Sequence, residues 1–208
     1  MNCDAESSRA GRSISSDHCI SRRELLKGAG SCVSAAAIFS IIGSATVAHA
    51  KDAPTLPQVG DVFVFFTGPK KGNVVLLGDL VIDAPPVIAR AKDPAAGEVR
   101  DRKGFSGTVL LLRVKPETVP PELQENAAQG ALAYSAWCTH LGCLVELWDV
   151  DNKVFQCPCH KSAYDPLQGA KVILGPAPRS LPLLPLKVEE DKLVVAAEFS
   201  ARVGPQRS

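Results

Sequence analysis

The sequence predicts an all-β protein built from antiparallel sheet. Its 208 residues include 16 glycines, 16 prolines and a single methionine, and its apolar runs are short and rich in Val and Leu. Short runs of this kind, separated by Gly and Pro turns, are typical of antiparallel strands. The length suits one domain with a hydrophobic core, together with a leader or a tail.

The charge pattern argues against one class of partner. The 23 basic and 22 acidic residues give a net charge of +1 and are spread along the whole chain. Proteins that bind nucleic acid concentrate Lys and Arg in a patch. We therefore expect no nucleic-acid partner, and the sequence also lacks a glycine-rich phosphate loop.

The first fifty residues have the composition of a leader. Residues 1–20 are polar and Ser-rich, and we expect them to be disordered. Residues 21–27 read Ser-Arg-Arg-Glu-Leu-Leu-Lys, an apolar segment follows at 28–47, and Ala48-His49-Ala50 comes next. This order resembles the twin-arginine export signal S-R-R-x-F-L-K, with Leu25 in place of Phe. The resemblance implies export of a folded protein to the periplasmic side of the cytoplasmic membrane.

The apolar segment at residues 28–47 has two interpretations. About 20 apolar residues span a bilayer as a helix, and this segment has that length but is diluted by Ser, Gly and Thr. It either remains as an N-terminal apolar helix that anchors the chain in the membrane, or is removed by cleavage after Ala50. The sequence leaves both open.

The strand-like runs begin after a Pro-containing linker at residues 51–60. Each run is apolar and bounded by turn residues. The predicted strands lie at 61–66, 73–77, 86–90, 108–114 and 130–136, and a closing hairpin is predicted from 186–188 and 192–197.

One helix is predicted over residues 121–129. Pro121 stands at its start, Glu122 lies in its first turn, and Gly130 follows its end. The tail at residues 199–208 is expected to be frayed from Arg202 onward.

Two short segments contain every Cys and His that follows Ala50. Box one is Cys138-Thr139-His140-Leu141-Gly142-Cys143, and box two is Cys157-Pro158-Cys159-His160-Lys161-Ser162. A pair of such loops indicates a metal site more strongly than a single loop does. Thiolate and imidazole ligands suit either one zinc ion or a [2Fe-2S] cluster. The two surplus cysteines, Cys143 and Cys159, can form a disulfide in an exported protein, which favours the cluster.

The two boxes resemble those of the Rieske [2Fe-2S] family, C-T-H-L-G-C and C-P-C-H-x-S. The specific resemblance covers residues 138–178, and a compatible β-rich pattern extends over 57–198. It implies a Rieske-type antiparallel β-sandwich with a small cluster-binding subdomain at about residues 136–180.

The resemblance also implies roles for the box residues. Cys138 and Cys157 would hold one iron of the [2Fe-2S] cluster, and His140 and His160 the other. Cys143 would be bonded to Cys159. The ring-hydroxylating and ferredoxin branch of the family lacks this extra pair, so the respiratory, high-potential branch is favoured.

Two hydroxyl residues are expected to tune the cluster. By the same resemblance, Ser162 donates to a cluster sulfide and Tyr164 to the sulfur of a ligand Cys. Each donated hydrogen bond stabilises the extra electron, and two neutral imidazoles reduce the negative charge of the centre. Both effects raise the reduction potential.

Three further residues are expected at a docking surface. Leu141 matches the residue at the family's docking tip, although packing would also explain it. Pro176 lies in the segment Gly175-Pro176-Ala177-Pro178, here called the proline loop, which resembles the family's flap over the cluster. Lys161 departs from the family pattern, because members from quinol:cytochrome c reductases usually have Gly there.

The sequence is compatible with three functions. The first is the iron–sulfur subunit of a quinol:cytochrome c reductase, which passes one electron from quinol to a c-type cytochrome beside cytochrome b and is no catalyst alone. The second is the small Rieske subunit of a periplasmic oxidoreductase such as arsenite oxidase, with a molybdenum-containing large subunit, or a free periplasmic carrier. The third is a structural zinc module.

Overall fold

The computed structural model of the chain describes residues 55–100 and 105–206. The predicted leader, the export or anchor segment with its apolar helix, and residues 51–54 of the linker lie outside the described residues. Those that are described belong to one compact unit. Among them, no helix has the length and apolar character needed to cross a membrane.

The prediction of an antiparallel β fold is confirmed. The described residues form a seven-stranded sheet in the order β10-β11-β1-β2-β3-β4-β9 and a four-stranded sheet in the order β5-β6-β7-β8. The strands are β1 Val62–Phe65, β2 Val87–Lys92, β3 Thr108–Arg113, β4 Ala131–Ser135, β5 Leu147–Asp149, β6 Val154–Gln156, β7 Ala163–Asp165, β8 Lys171–Leu174, β9 Leu183–Leu184, β10 Leu186–Glu189 and β11 Lys192–Val195.

Strand β3 supplies side chains to two hydrophobic cores. Successive side chains of a strand point to opposite faces of the sheet. Val109 and Leu111 therefore pack into one core with Phe63, whereas Leu110 and Leu112 pack into a second core. The second core also contains buried side chains of the small sheet, so β3 lies between the large sheet's own core and the region that carries the boxes.

The two boxes are connections of the small sheet. Box one joins β4 to β5, and box two joins β6 to β7. Phe155 pairs with Tyr164 and Gln156 with Ala163, so box two is the loop of an antiparallel hairpin. This pairing fixes the direction in which box two leaves the sheet.

Two predicted elements are wrong in extent. Residues 73–77 form isolated bridges instead of a strand, because the chain closes into a 3₁₀ turn at Leu77–Asp79 whose Asp79 carboxylate accepts the Leu76 N–H at 2.9 Å. The predicted helix is a single turn, α1 Pro121–Gln124. It ends early because the backbones of Ala128 and Ala131 exchange two hydrogen bonds that turn the chain into β4.

The described part of the linker is attached to the domain. The Ser106 hydroxyl donates to the Thr55 carbonyl at 3.3 Å, and the Asp61 carboxylate accepts the Gln58 N–H at 2.8 Å. Asp61 is 2% exposed and is held by both the Nε and an Nη of Arg100, each at 2.9 Å. Arg100 also reaches Asp93 at 2.9 Å, so a buried ion-pair network fixes the entry of the chain into β1.

Candidate metal centre

Box one folds into a tight loop closed by its own backbone. The Cys138 N–H donates to the Cys143 carbonyl at 2.9 Å, and the Gly142 N–H donates back to the Cys138 carbonyl at 3.1 Å. Gly142 has φ = 82°, a left-handed conformation that glycine adopts without strain. The Trp137 Nε1–H donates to the Gly142 carbonyl at 2.7 Å and braces the loop from outside.

Box two closes in the same way. The Cys157 N–H donates to the Ser162 carbonyl at 2.9 Å, and the Lys161 N–H donates to the Cys157 carbonyl at 3.1 Å. Lys161 has φ = 59° and occupies the position that Gly142 occupies in box one. The two loops are therefore matching turns, each of which starts at a buried cysteine.

A disulfide between Cys143 and Cys159 joins the two loops. It ties the end of box one to the middle of box two across a separation of 16 residues. The bond agrees with the pairing that the sequence resemblance implies. It holds together two turns that belong to different connections of the fold.

The two remaining cysteines of the boxes are free and buried. Cys138 and Cys157 are each 1% exposed. Burial raises the pKa of the Cys157 thiol, while the backbone N–H groups of Cys159 and His160 lower it by donating to the sulfur. A cation at this point would displace the thiol proton, and those N–H groups would then stabilise the thiolate.

The imidazoles of the two boxes lie beside each other. The ring centroids of His140 and His160 are 4.7 Å apart, with an angle of 82° between the planes. The Nδ1 atom of His140 is buried and has no hydrogen-bond partner among the described residues. A buried polar atom without a partner is costly, and coordination of a metal by Nδ1 would satisfy it.

The donor set therefore fits a centre with two thiolates and two imidazoles. The sulfur atoms of Cys143, Cys157 and Cys159 also lie within 4.8 Å of one another. Two of these three are consumed by the disulfide, so they offer no thiolate. The side chains that could hold a metal are those of Cys138, His140, Cys157 and His160.

Tyr164 lies next to one of the free thiols. Its hydroxyl is 3.2 Å from the sulfur of Cys138. Burial raises the pKa of Tyr164, and the neighbouring thiol raises it further. The hydroxyl therefore stays protonated and would be the donor to a Cys138 thiolate.

Ser162 connects box two to the proline loop. Its side chain is fully buried, and its hydroxyl oxygen accepts the Ala177 N–H at 3.1 Å. Since that bond uses only a lone pair, the hydroxyl proton is free to donate elsewhere. The proline loop is thus fastened to box two by the residue that the sequence predicts to tune the cluster.

The three predicted docking residues are all at the surface. Leu141 is 66% exposed, and Lys161 and Pro176 are exposed as well. An exposed fraction this large shows that Leu141 does not pack into a core. The packing alternative for Leu141 is therefore wrong.

A support for box one was not predicted from the sequence. The Thr139 hydroxyl donates to the Arg179 carbonyl at 2.6 Å, and the Arg179 guanidinium donates to the carbonyls of Arg202 and Gly204. Gly204 packs on the ring of Trp137. The expectation of a frayed tail is wrong here, because these contacts hold the tail against the back of box one. No local pattern signals them, since the partners are far apart in sequence.

Comparison with known proteins agrees with this geometry. Residues 85–185 match the family model described as "Rieske [2Fe-2S] domain". The "Cytochrome bc1 complex Rieske iron-sulfur subunit" of Streptomyces lividans is 30% identical over 139 residues, which are 66% of this chain and 79% of that protein. The protein with the same name in Corynebacterium glutamicum is 36% identical over 121 residues, 55% of this chain and 30% of its own length.

A solved structure is also similar. A chain of a "Hyperthermophilic respiratory Complex III" is 28% identical, with a TM-score of 0.39, over 58% of this chain and 71% of that chain. The chain spans less than half the length of several curated relatives, such as 38% of the one in Streptomyces coelicolor.

Proposed function

This chain belongs to the Rieske [2Fe-2S] family, and we propose that it is the iron–sulfur subunit of a quinol:cytochrome c reductase of the bc type. In that role it takes one electron from quinol and passes it to a c-type cytochrome, beside a cytochrome b subunit. The bound [2Fe-2S] cluster supplies the one-electron chemistry. Cys138 and Cys157 would hold one iron, and His140 and His160 the other.

The observation that carries this proposal is the pairing of the two loops. Each loop presents one buried free cysteine and one histidine, and the Cys143–Cys159 disulfide fastens the loops to each other. A zinc site would use the same four donors but gives no reason for the disulfide. The disulfide also suits an oxidising compartment and a small, otherwise exposed subdomain.

The surroundings of the loops support a high reduction potential. Tyr164 offers a hydroxyl to the sulfur of Cys138, and Ser162 keeps a hydroxyl proton free beside box two. Hydrogen bonds to the sulfurs of a cluster stabilise its reduced form. A high potential lets the protein draw electrons from quinol.

The β architecture supports the same assignment. A large antiparallel sheet, a small sheet that carries both boxes, and a core shared between them suit a Rieske-type β-sandwich with a cluster-binding subdomain. In this arrangement the chain's own residues position the two boxes. The disulfide aligns the loops, and the proline loop covers the side of box two next to Ser162.

The decisive experiment is chemical and spectroscopic analysis of the purified protein. We expect equal amounts of iron and acid-labile sulfide, and an electron paramagnetic resonance signal of a Rieske centre after reduction. Cys138→Ser should remove both, whereas Cys143→Ser should weaken cluster retention. A colourless protein that contains zinc and no iron would refute the proposal.

The partner is tested by extraction from the native membrane. Co-purification with cytochromes b and c in mild detergent supports the reductase. Co-purification with a molybdenum-containing large subunit would instead assign the chain to a periplasmic oxidoreductase.

We also propose that the chain acts on the periplasmic side of the cytoplasmic membrane. The supporting feature is the pair Arg22-Arg23 with the apolar segment at residues 28–47. Replacing both arginines by lysine should leave the protein in the cytoplasm. Alkaline carbonate extraction of the unchanged protein distinguishes a membrane anchor from a released protein, because an anchored protein stays in the membrane fraction.

A further inference from the structure

Lys161 is the one fully charged residue in the three segments that surround the candidate metal centre. Apart from Lys161 and the two histidines, box one, box two and the proline loop contain neutral side chains only. All three segments are described by the structure, and Lys161 is exposed. This ammonium group is therefore the one permanent charge that these three segments carry.

The backbone conformation of Lys161 is the one that Gly142 has in box one. The box-two turn requires a left-handed residue at this position, as the matching turn of box one shows with Gly142. Glycine adopts this conformation freely, whereas a residue with a Cβ is strained in it. Other exposed residues, Lys153 among them, keep a side chain in this conformation, and Lys161 differs from them in directly following the candidate ligand His160.

The intramolecular contacts of Lys161 do not explain the side chain. Lys161 forms no ion pair with any carboxylate of residues 55–100 and 105–206. Two acidic residues of the small sheet accept hydrogen bonds within their own turns. Asp149 accepts the N–H groups of its own turn, and Asp165 caps the 3₁₀ turn Pro166–Gln168.

We propose that Lys161 selects the redox partner by charge, so that the chain docks on a protein with an acidic face. This inference rests on the proposed electron-transfer function and specifies its partner. The tip would combine apolar contact, from exposed Leu141 and Pro176, with one cation that an acidic patch can pair. Charge complementarity of this kind raises association rates and discriminates between partners.

The influence of the Lys161 charge on the rate of electron transfer can be measured without a protein partner, by using small redox ions of opposite charge. The reduced holoprotein gives one electron to ferricyanide, a trianion that becomes ferrocyanide, or to tris(phenanthroline)cobalt(III), a trication that becomes the cobalt(II) complex. A unit charge close to a trivalent ion changes the encounter rate by roughly tenfold at about 0.01 M ionic strength. Added salt should abolish most of that difference.

The test compares Lys161→Gly with a matched control, Lys153→Gly. Lys153 also has a left-handed conformation, with φ = 52°, and lies at the other end of β6 in the β5–β6 turn. Both variants lose one charge and gain a glycine where it is favoured, so both should unfold at a higher urea concentration. Only Lys161→Gly should slow electron transfer to ferricyanide and accelerate electron transfer to the cobalt complex. Only this variant should also lower the equilibrium reduction potential of the protein.

The same variants should then be tested with two c-type cytochromes, one with an acidic and one with a basic face around the haem. With the acidic cytochrome, we expect the electron-transfer rate to fall in Lys161→Gly and to stay unchanged in Lys153→Gly. Equal behaviour of the two variants would overturn the inference while leaving the cluster and the electron transfer intact. Lys161-dependent binding to anionic phospholipid vesicles, without an effect on the cytochromes, would overturn it in favour of a membrane surface. A protein that holds no cluster would refute the proposed function itself.

Discussion

Gly175 lies directly against Ser162, and the space between them admits no side chain. A Cβ atom on Gly175 would lie 2.5 Å from the Cα and 2.9 Å from the Oγ of Ser162. Gly175 also has φ = 90°. The proline loop can therefore approach box two only because its first residue is glycine, and this approach brings the Ala177 N–H to the Ser162 hydroxyl.

We expect Gly175→Ala to displace the proline loop and to destabilise the protein by about 1–3 kcal/mol. The added methyl group would meet backbone atoms that have little freedom to move. Urea unfolding of the holoprotein measures the change. Gly78→Ala is the control, because Gly78 has open space around it and no positive φ, and it should change stability by less than about 1 kcal/mol. Equal effects of the two substitutions would contradict the close contact.

Tyr164→Phe should lower the reduction potential and leave the cluster bound. A net hydrogen bond of about 0.5–1.5 kcal/mol corresponds to about 20–65 mV for a one-electron couple. Protein-film voltammetry measures this shift. Tyr134→Phe is the matched control, because the buried Tyr134 hydroxyl donates to the Pro166 carbonyl at 2.6 Å and should affect stability alone. An unchanged potential in Tyr164→Phe would disprove the role of that hydroxyl.

Ser162→Ala should lower the potential by a similar amount and should also weaken the fold. Its hydroxyl oxygen is the acceptor for the buried Ala177 N–H, and an unpaired buried donor costs about 1–3 kcal/mol. We therefore expect a lower urea midpoint than for Tyr164→Phe, in addition to the shift in potential. A loss of stability with no shift in potential would assign Ser162 to the proline loop alone.

Arg100→Ala should be strongly destabilising. It would leave the Asp61 carboxylate, which is 2% exposed, without its cation, and breaking a buried ion pair in this way costs about 3–5 kcal/mol. Lys70→Ala is the comparison, because Lys70 pairs with Asp79 at 2.6 Å but its side chain is 61% exposed. An exposed pair contributes about 1 kcal/mol or less. Urea unfolding of both variants should show this contrast, and a small effect of Arg100→Ala would refute the importance of the network.

Acidification should destabilise the domain partly through Asp79. Hydrogen bonds from the Lys70 ammonium and the Leu76 N–H hold the pKa of Asp79 below its ordinary value of 3.8. The unfolded chain therefore takes up the proton first as the pH falls, so the stabilisation is complete well above that value and is lost as the pH falls through the folded pKa. Unfolding at about pH 6 and about pH 3 should show a smaller pH dependence for Asp79→Asn than for the unchanged protein. Identical pH profiles would contradict this contribution.

The sequence was sufficient where the relevant interactions are local. The box residues lie within six-residue turns, so their chemistry and spacing are visible in the printed sequence. Long strands such as β3 were also predicted, because an apolar run of Val and Leu has few alternatives. The short strands β5 to β8 were not predicted, since runs of three or four residues carry almost no periodic signal.

Two element boundaries depend on specific hydrogen bonds that the composition of the segments does not reveal. The segment at 73–77 has the composition of a strand, yet the cap supplied by Asp79 turns the chain before a ladder forms. The predicted helix was cut to one turn by the reversal between Ala128 and Ala131. In both places a few hydrogen bonds, made by a side-chain cap in the first and by the backbone in the second, outweighed a weak propensity.

The sequence by itself determined the candidate donor set of this protein, because thiolate and imidazole chemistry resides in the residue types and their spacing. Only the tertiary structure decided how the donors are presented. It brought the Tyr164 hydroxyl to the sulfur of Cys138, seated the proline loop on Ser162, and anchored the tail behind Trp137. These relationships depend on strand register and on packing between segments far apart in the chain, so no local pattern encodes them.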